Sequence, residues 1–559
     1  GWGRRILLLL FQKKEFPHPN IIGTALGLVL LCLLSTYTIA VGLDIKVPFF
    51  LFLCIGLIAA YPYIPPLFQN LQSWIVQAPW KHKLVGLLIL VYACVSILGG
   101  MAPETNFDVG VYHYTIPKES VELGTWVTRP DTHHSWFPLG WQALYGTSFA
   151  VLGEPLANQI NMMAFLLTLC SVFTFSRSSK YLAMIFLLGN ISTAISSSGG
   201  LVEIPQGLFI LLGIVIMIQG GPGWRWGLIA GVMWGQALAI KPTSCFALFL
   251  CLIWSFVENK DFKKVAVCIL VTGLISCFWP LRNWLLIGNP AYPFLGSIFP
   301  APLSGMERMI RPIAFPSDII PFLRTLLLNP CILLFPLAFF SPGFGRRSGI
   351  FLALLLGIAF ATSPYGPENG ARFAISMLLP FAVLTTTRGY SDIARQNKIL
   401  HHCLYGLAFV LCLGVLGVHS WRNGNKARVA VGLQSRDEYL SKKINTYRAI
   451  KRAEKEAQGN PILLIDQRGY YCEGPYISGN DFQEKVQPET FQTAQDFQKW
   501  LSENKIQFIV SVMDGTGHTR RFERLRTERS FVWDETLVKI GTYGNTSVFK
   551  VKKLPKNKN

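Results

Sequence analysis

Charge is scarce in this chain, and acid scarcer still. Of 559 residues only 15% are charged, with 31 Asp and Glu against 51 Lys and Arg, a share below that of ordinary soluble domains. The cysteines offer no framework either. Of the 12, only Cys472 lies beyond the apolar runs, so no disulfide set is available to an exported domain. The rest read as small apolar residues. There is no internal repeat, no low-complexity tract and no Walker or dinucleotide-binding glycine pattern, which leaves an ATP-driven mechanism unsupported.

What is abundant is apolar sequence. Hydrophobic residues make up 51% of the chain and the mean hydropathy is +0.38, values that predict a polytopic α-helical membrane protein. Long apolar runs recur from 21–43 to 401–419, about thirteen in all, several of them shorter than the roughly 20 residues that a straight span needs. The net charge of +20 does not point to nucleic acid. The basic residues punctuate short loops: Arg4, Arg5, Lys13 and Lys14; Lys81 and Lys83; Arg177 and Lys180; Lys260, Lys263 and Lys264; Arg346 and Arg347; Arg388, Arg395 and Lys398. All six groups fall on the cytoplasmic face if the N-terminus is cytoplasmic and 138–153 does not cross, making that segment an amphipathic helix at the interface. No cleavable signal peptide is expected, and Gly1 in place of Met implies a truncated N-terminus.

The predicted organisation is a transmembrane domain over 1–420, with exported loops at 101–156 and 288–320, and a soluble α/β domain over 421–559 on the same exported face. In that tail, a charged helical stretch near Asp437 to Gln458 precedes an apolar strand at Ile462 to Ile465. A helix over Thr493 to Asn504 leads into a strand at Ile506 to Val510, and Gly544-Asn545 centres a closing hairpin. A plasma-membrane setting, of the bacterial inner-membrane kind, fits the missing disulfides.

Chemistry is expected first at Asn106-Phe-Asp-Val-Gly-Val-Tyr-His-Tyr114, just past an apolar run. An acid at the mouth of a membrane bundle is costly unless it meets water, a partner or a substrate. Asp108 suits a general base; a helix-capping loop Asp is the alternative. Glu203 lies on the same face, either as a second acid for a cation or as a charge complementing a helix dipole. His113, with Asp108 and Glu203, makes a weak metal set, and a divalent ion is an open cofactor; His133 and His134 are adjacent and poorly placed to share one. Lys241, Arg282 and Arg372 are cations on the face opposite the positive-inside bias, suited to a phosphate or to snorkelling at the interface.

In order along the chain, Asp108 with Tyr112-His113, Glu203, Ala239-Ile-Lys-Pro-Thr243, Trp279-Pro-Leu-Arg-Asn283, Gly288-Asn-Pro-Ala-Tyr-Pro-Phe294 and Arg372-Phe373 resemble the GT-C superfamily of membrane glycosyltransferases. The similarity is to its bacterial branch of aminoarabinose transferases and protein O-mannosyltransferases. The resemblance implies inverting transfer of a sugar from a polyprenyl-phosphate carrier to a glycan, lipid or protein acceptor, with Asp108 as base and Glu203 as secondary acid or metal ligand. It implies carrier contacts from Lys241, Arg282 and Arg372, and substrate contacts from Tyr112, His113 and Tyr292. Many relatives pair two acids in this first loop, whereas here Val109 and Gly110 follow Asp108. Two other classes remain open: a transporter or flippase, which would favour midplane charges and a two-fold repeat, and a catalytically inert scaffold of the same fold.

Overall fold

The computed structural model of the chain describes residues 1–11, 18–129, 132–176, 179–299, 317–327, 329–341, 343–362, 367–394, 397–466, 468–480, 486–512 and 519–552. Lys13, Lys14, Arg177, Arg395 and much of the loop expected at 288–320 lie outside these residues.

Among the described residues five helices are long and apolar enough to cross a membrane: Pro19–Ala40, Lys46–Pro66, Trp80–Gly100, Glu154–Phe175 and Lys398–Ala430. A sixth span is made if the pair Phe262–Ser276 and Phe278–Ile287, bent by 56°, is one crossing. The sequence predicts about thirteen apolar runs; among the described residues several of them build short or broken helices, and others, such as Glu203–Gln219 and Trp224–Ile240, reach 17 residues. The run 180–198 becomes Lys180–Leu188 and Ile191–Ser196. The bend near Cys277 lies just upstream of Pro280, whose ring and missing N–H disrupt the preceding turn.

The segment predicted to lie at the interface is instead inside the protein. Its helix, Gln142–Val151, buries every residue from Gln142 to Ser148. Small residues permit this: a Cβ on Gly146 would meet Val121, Ile39 and the Pro117 carbonyl at 3.1–3.2 Å.

Two of the basic residues that the loop pattern assigns to the cytoplasmic side also finish helices. Lys264 Nζ donates to the carbonyls of Met217, Gly220 and Gly221 at 2.9–3.2 Å, at the end of Glu203–Gln219. Arg388 donates through Nε and Nη2 to the Phe175 carbonyl at 3.0 and 2.7 Å, at the end of Glu154–Phe175. Each places a cation at the negative end of a helix dipole, on carbonyls with no partner inside the helix.

Helix Trp224–Ile240 packs closely on Phe262–Ser276 through Gly227, Gly231 and Gly235, one glycine per turn on one face. A Cβ at Gly231 would lie 2.8 Å from the Cys268 carbonyl, one at Gly235 would lie 2.5 Å from Ile275 Cβ, and one at Gly227 would collide with the Lys264 carbonyl. Gly227→Ala is therefore expected to destabilise the bundle by about 1–3 kcal/mol, the cost of overpacking. Gly273→Ala, on the partner helix with nothing within 4 Å of a new Cβ, is the control. Comparing their unfolding midpoints in detergent checks this; equal midpoints would refute the packing argument.

Helix Lys398–Ala430 passes through position 420 and ends at Ala430. Beyond it, helices Arg436–Lys443 and Tyr447–Ala457 precede a mixed sheet of β1 (Ile462–Ile465), β2 (Tyr476–Ser478), β3 (Phe508–Val512), β4 (Leu537–Tyr543) and β5 (Thr546–Val551). The order is β2-β1-β3-β5-β4, with β1 parallel to β2 and β3, and β5 antiparallel to β3 and β4. Helix Ala494–Glu503 opens with a reciprocal cap in which Thr493 Oγ1 accepts from the Asp496 N–H at 3.1 Å and the Thr493 N–H donates to Asp496 at 2.9 Å. One face of the sheet packs on Phe497, Leu501 and Trp533, the other on Ala449, Ile450 and Ala453. Among the strands, β2 has no counterpart in the sequence expectation, because three residues carry no readable period, and the helices Arg520–Glu528 and Ser530–Thr536 have none either.

Candidate functional site

The site begins with one turn. After the helix Trp80–Gly100 the chain crosses to Asn106, whose Oδ1 accepts from the Asp108 N–H at 3.1 Å and whose carbonyl accepts from Gly110 N–H at 3.1 Å. Val109–His113 then forms a π-helical turn, a form that often marks functional sites. Asp108 stands at its N-terminus half-buried, and its carboxylate makes no capping hydrogen bond to the turn. The capping alternative for Asp108 is thereby removed.

His113 ends the same turn and is buried. Gln142 Nε2 donates to its Nδ1 at 2.9 Å, which leaves the ring proton on Nε2 when the imidazole is neutral. Burial, reinforced by the nearby Lys241 cation, pushes its pKa down to about 3, so the ring is neutral at any ordinary pH. Beside it Glu203, opening the helix Glu203–Gln219, accepts from Lys241 Nζ through Oε1 at 2.7 Å. Glu203 Oε2 and Gln142 Oε1 are both buried and unpartnered among the described residues. Two acceptor atoms with nothing to accept, gathered around a neutral imidazole and an ion pair, are rare in a finished protein interior and suit a hydroxyl-bearing ligand.

Tyr112 lies between His113 and His134, its ring 4.0 Å from the first and stacked at 4.4 Å on the second. His133, Phe137 and the buried Tyr292 continue the row. The loop carrying these rings is held from below. Arg282 donates to the carbonyls of Ser135 and Val127 at 2.9 and 3.0 Å, and Asn283 donates to the Trp136 carbonyl at 2.7 Å. Two of the Arg282 terminal nitrogens thus serve the loop, and the Trp279-Pro-Leu-Arg-Asn283 motif has a clear structural task. Arg372 falls in the helix Pro367–Ala394, its side chain outside the described residues. As for metal, no group of three or more His, Cys, Asp or Glu arranged to hold an ion occurs among the described residues; Glu203 spends one oxygen on Lys241 instead.

Sequence reasoning missed Glu104, Glu154 and Gln142. Glu104 and Glu154 are buried at the mouth of the bundle, and both were visible as rare acids flanking apolar runs, the same signal that singled out Asp108.

No family model and no curated protein matches the sequence. Solved structures do match. ArnT from Cupriavidus metallidurans in the apo state superposes with a TM-score of 0.56 at 14% identity, covering 84% of this chain and 98% of that one. The same protein bound to undecaprenyl phosphate gives 0.53 at 14% identity, covering 85% and 98%. The fold is GT-C-like. At this identity the likeness speaks for the fold and not the chemistry. Arabinofuranosyltransferase AftD from Mycobacteria is also similar, with a TM-score of 0.48 at 11% identity over 84% of this chain and 42% of that one. Within this fold His113 joins the Asp108 turn to the Glu203–Lys241 pair, and Tyr112 joins it to the aromatic row.

Proposed function

We propose that the protein is an inverting glycosyltransferase that moves a sugar from a polyprenyl-phosphate carrier to an acceptor hydroxyl on the exported face of a bacterial inner membrane. The observation that carries this is the single turn with Asp108 at one end and, at the other, neutral His113 beside Glu203, Lys241 and two buried acceptor atoms unpartnered among the described residues. The carrier class is taken from the fold neighbour that binds undecaprenyl phosphate.

In the proposed step Asp108 removes the proton of the acceptor hydroxyl as its oxygen bonds to the anomeric carbon. The bond from that carbon to the phosphate oxygen breaks, and the electron pair leaves on polyprenyl phosphate. Lys241, fixed by Glu203, offers a cation to the developing phosphate charge, and Arg372 is a second candidate. Glu203 Oε2 and Gln142 Oε1 accept hydrogen bonds from hydroxyls of the sugar, while Tyr112, already packed on His113 and His134, and Tyr292 belong to the aromatic wall beside it. We assign Arg282 to holding the ring-bearing loop. No step here runs through a metal ion. The acceptor is a glycan, lipid or protein, and the carrier tail lies in lipid beside the spans.

The test is transfer from a panel of radiolabelled polyprenyl-phosphate sugars by the full chain reconstituted in lipid. Turnover with at least one donor and inverted product stereochemistry is expected. Folded protein that turns over none of them, yet moves a lipid-linked sugar across vesicles, would replace this reading with a flippase.

A further inference from the structure

The tail is seated on the catalytic turn, and one buried carboxylate joins the pieces. Glu104 is 4% exposed. Its Oε1 accepts from the N–H groups of Thr105 and Asn106 at 2.7 and 2.8 Å, folding the chain back just before Asp108. Its Oε2 accepts from the Gly200 N–H at 3.3 Å, in the loop that leads to Glu203. Glu104 Oε2 lies close against Gly199, where a Cβ would displace it. One side chain therefore ties the segment bearing Asp108 to the segment bearing Glu203.

The tail reaches this knot directly. Tyr471 Oη donates to the Glu104 carbonyl at 2.5 Å. The next residue up the chain, Tyr470, donates its N–H to the Gly110 carbonyl at 3.3 Å, within the catalytic turn itself. Glu154 accepts from the Glu104 N–H and pairs with Arg436 of the tail at 3.0 Å. The bonds from Tyr471 to the Glu104 carbonyl and from the Glu104 N–H to Glu154 are buried, where a hydrogen bond is strong and a missing partner costly.

We propose that Glu104 and Tyr471 are positioning residues for the transfer reaction, through which the C-terminal domain sets the placement of Asp108 relative to Glu203. This rests on the glycosyltransferase reading above. The physical reason is that a loop base has no rigid element of its own: displacement by about 1 Å costs on the order of 10²-fold in rate, so the groups that fix the loop act on turnover more than on substrate affinity.

The test uses the full chain in lipid, with Tyr471→Phe beside Tyr543→Phe, a tail tyrosine in β4. Hydrogen exchange of the amides from Asn106 to Tyr114 is expected to speed up on the order of 10-fold in Tyr471→Phe, as one lost hydrogen bond allows, and to stay unchanged in Tyr543→Phe. Turnover, measured well below the melting transition, is expected to fall by about 10-fold or more with donor KM within about twofold, while the melting midpoint drops by no more than the few degrees that one lost buried hydrogen bond costs. Glu104→Gln, which keeps one acceptor oxygen, should retain more turnover than Glu104→Ala at matched stability. Unchanged exchange in Tyr471→Phe overturns the proposal, and so do unchanged turnover or losses that simply follow melting. If the native chain turns over no donor, the functional reading fails while the exchange comparison still decides whether the tail holds the turn.

Discussion

Asp108→Asn is expected to cut transfer by about 10²–10⁴-fold in kcat, the range for loss of a general base, with the melting midpoint unchanged. The substitution preserves size and shape and removes only basicity. The hydrogen bond to Asn106 Oδ1 is made by the Asp108 backbone N–H, so the isosteric amide keeps it. His113 will not supply the acid limb of the pH–rate profile. Its pKa is depressed to about 3 in the folded chain, below the ordinary value near 6.5. Its neutral form therefore contributes stability that is present above about pH 6.5 and is lost as pH falls toward the folded value. Single-turnover kinetics from pH 5 to 9 on the native chain and the variant decide the matter. Retention of more than a tenth of the rate by Asp108→Asn would move the base to another residue.

The second large effect is on stability. Lys241→Met leaves Glu203 charged, buried and without its 2.7 Å partner, and breaking a buried pair from one side costs about 3–5 kcal/mol. The lower end applies, since the Lys241 side chain retains 18% exposure. Adding Glu203→Gln to Lys241→Met removes the stranded charge and should recover most of the loss, because two residues in one ion pair are strongly non-additive. Denaturant unfolding of the two single variants and the double variant in one detergent measures this. A double variant no more stable than Lys241→Met would show that the pair is not the source of the effect. Activity should stay low in the double variant even where stability returns, because the proposed phosphate contact is gone.

How much of a feature shows in the sequence depends on how far apart along the chain its interacting residues lie. The apolar runs, the Gly544 hairpin, the helix after Thr493 and the strand Ile462–Ile465 each depend on residues a few positions apart, so composition and period reveal them. Asp108 and Glu203 were legible for a related reason: an acid among apolar residues is conspicuous whatever it touches. The burial of Gln142–Val151 was not legible, because its sequence fits an interfacial helix equally well and only the neighbours Ile39, Pro117 and Val121 decide which face is covered.

Sequence alone thus determined that this is a polytopic helical membrane protein with a small α/β tail, and where its acids and histidines stand along the chain. Tertiary structure decided what those groups do to one another. It paired Glu203 with Lys241 across 38 positions, turned Arg282 onto loop carbonyls 147 and 155 positions away, and brought Tyr471 to Glu104 across 367. It also set Gly227, Gly231 and Gly235 against a second helix. The reason is physical: local hydrogen bonding and hydropathy act along the chain, whereas charge pairing and desolvation depend on distances that exist only once the chain has packed.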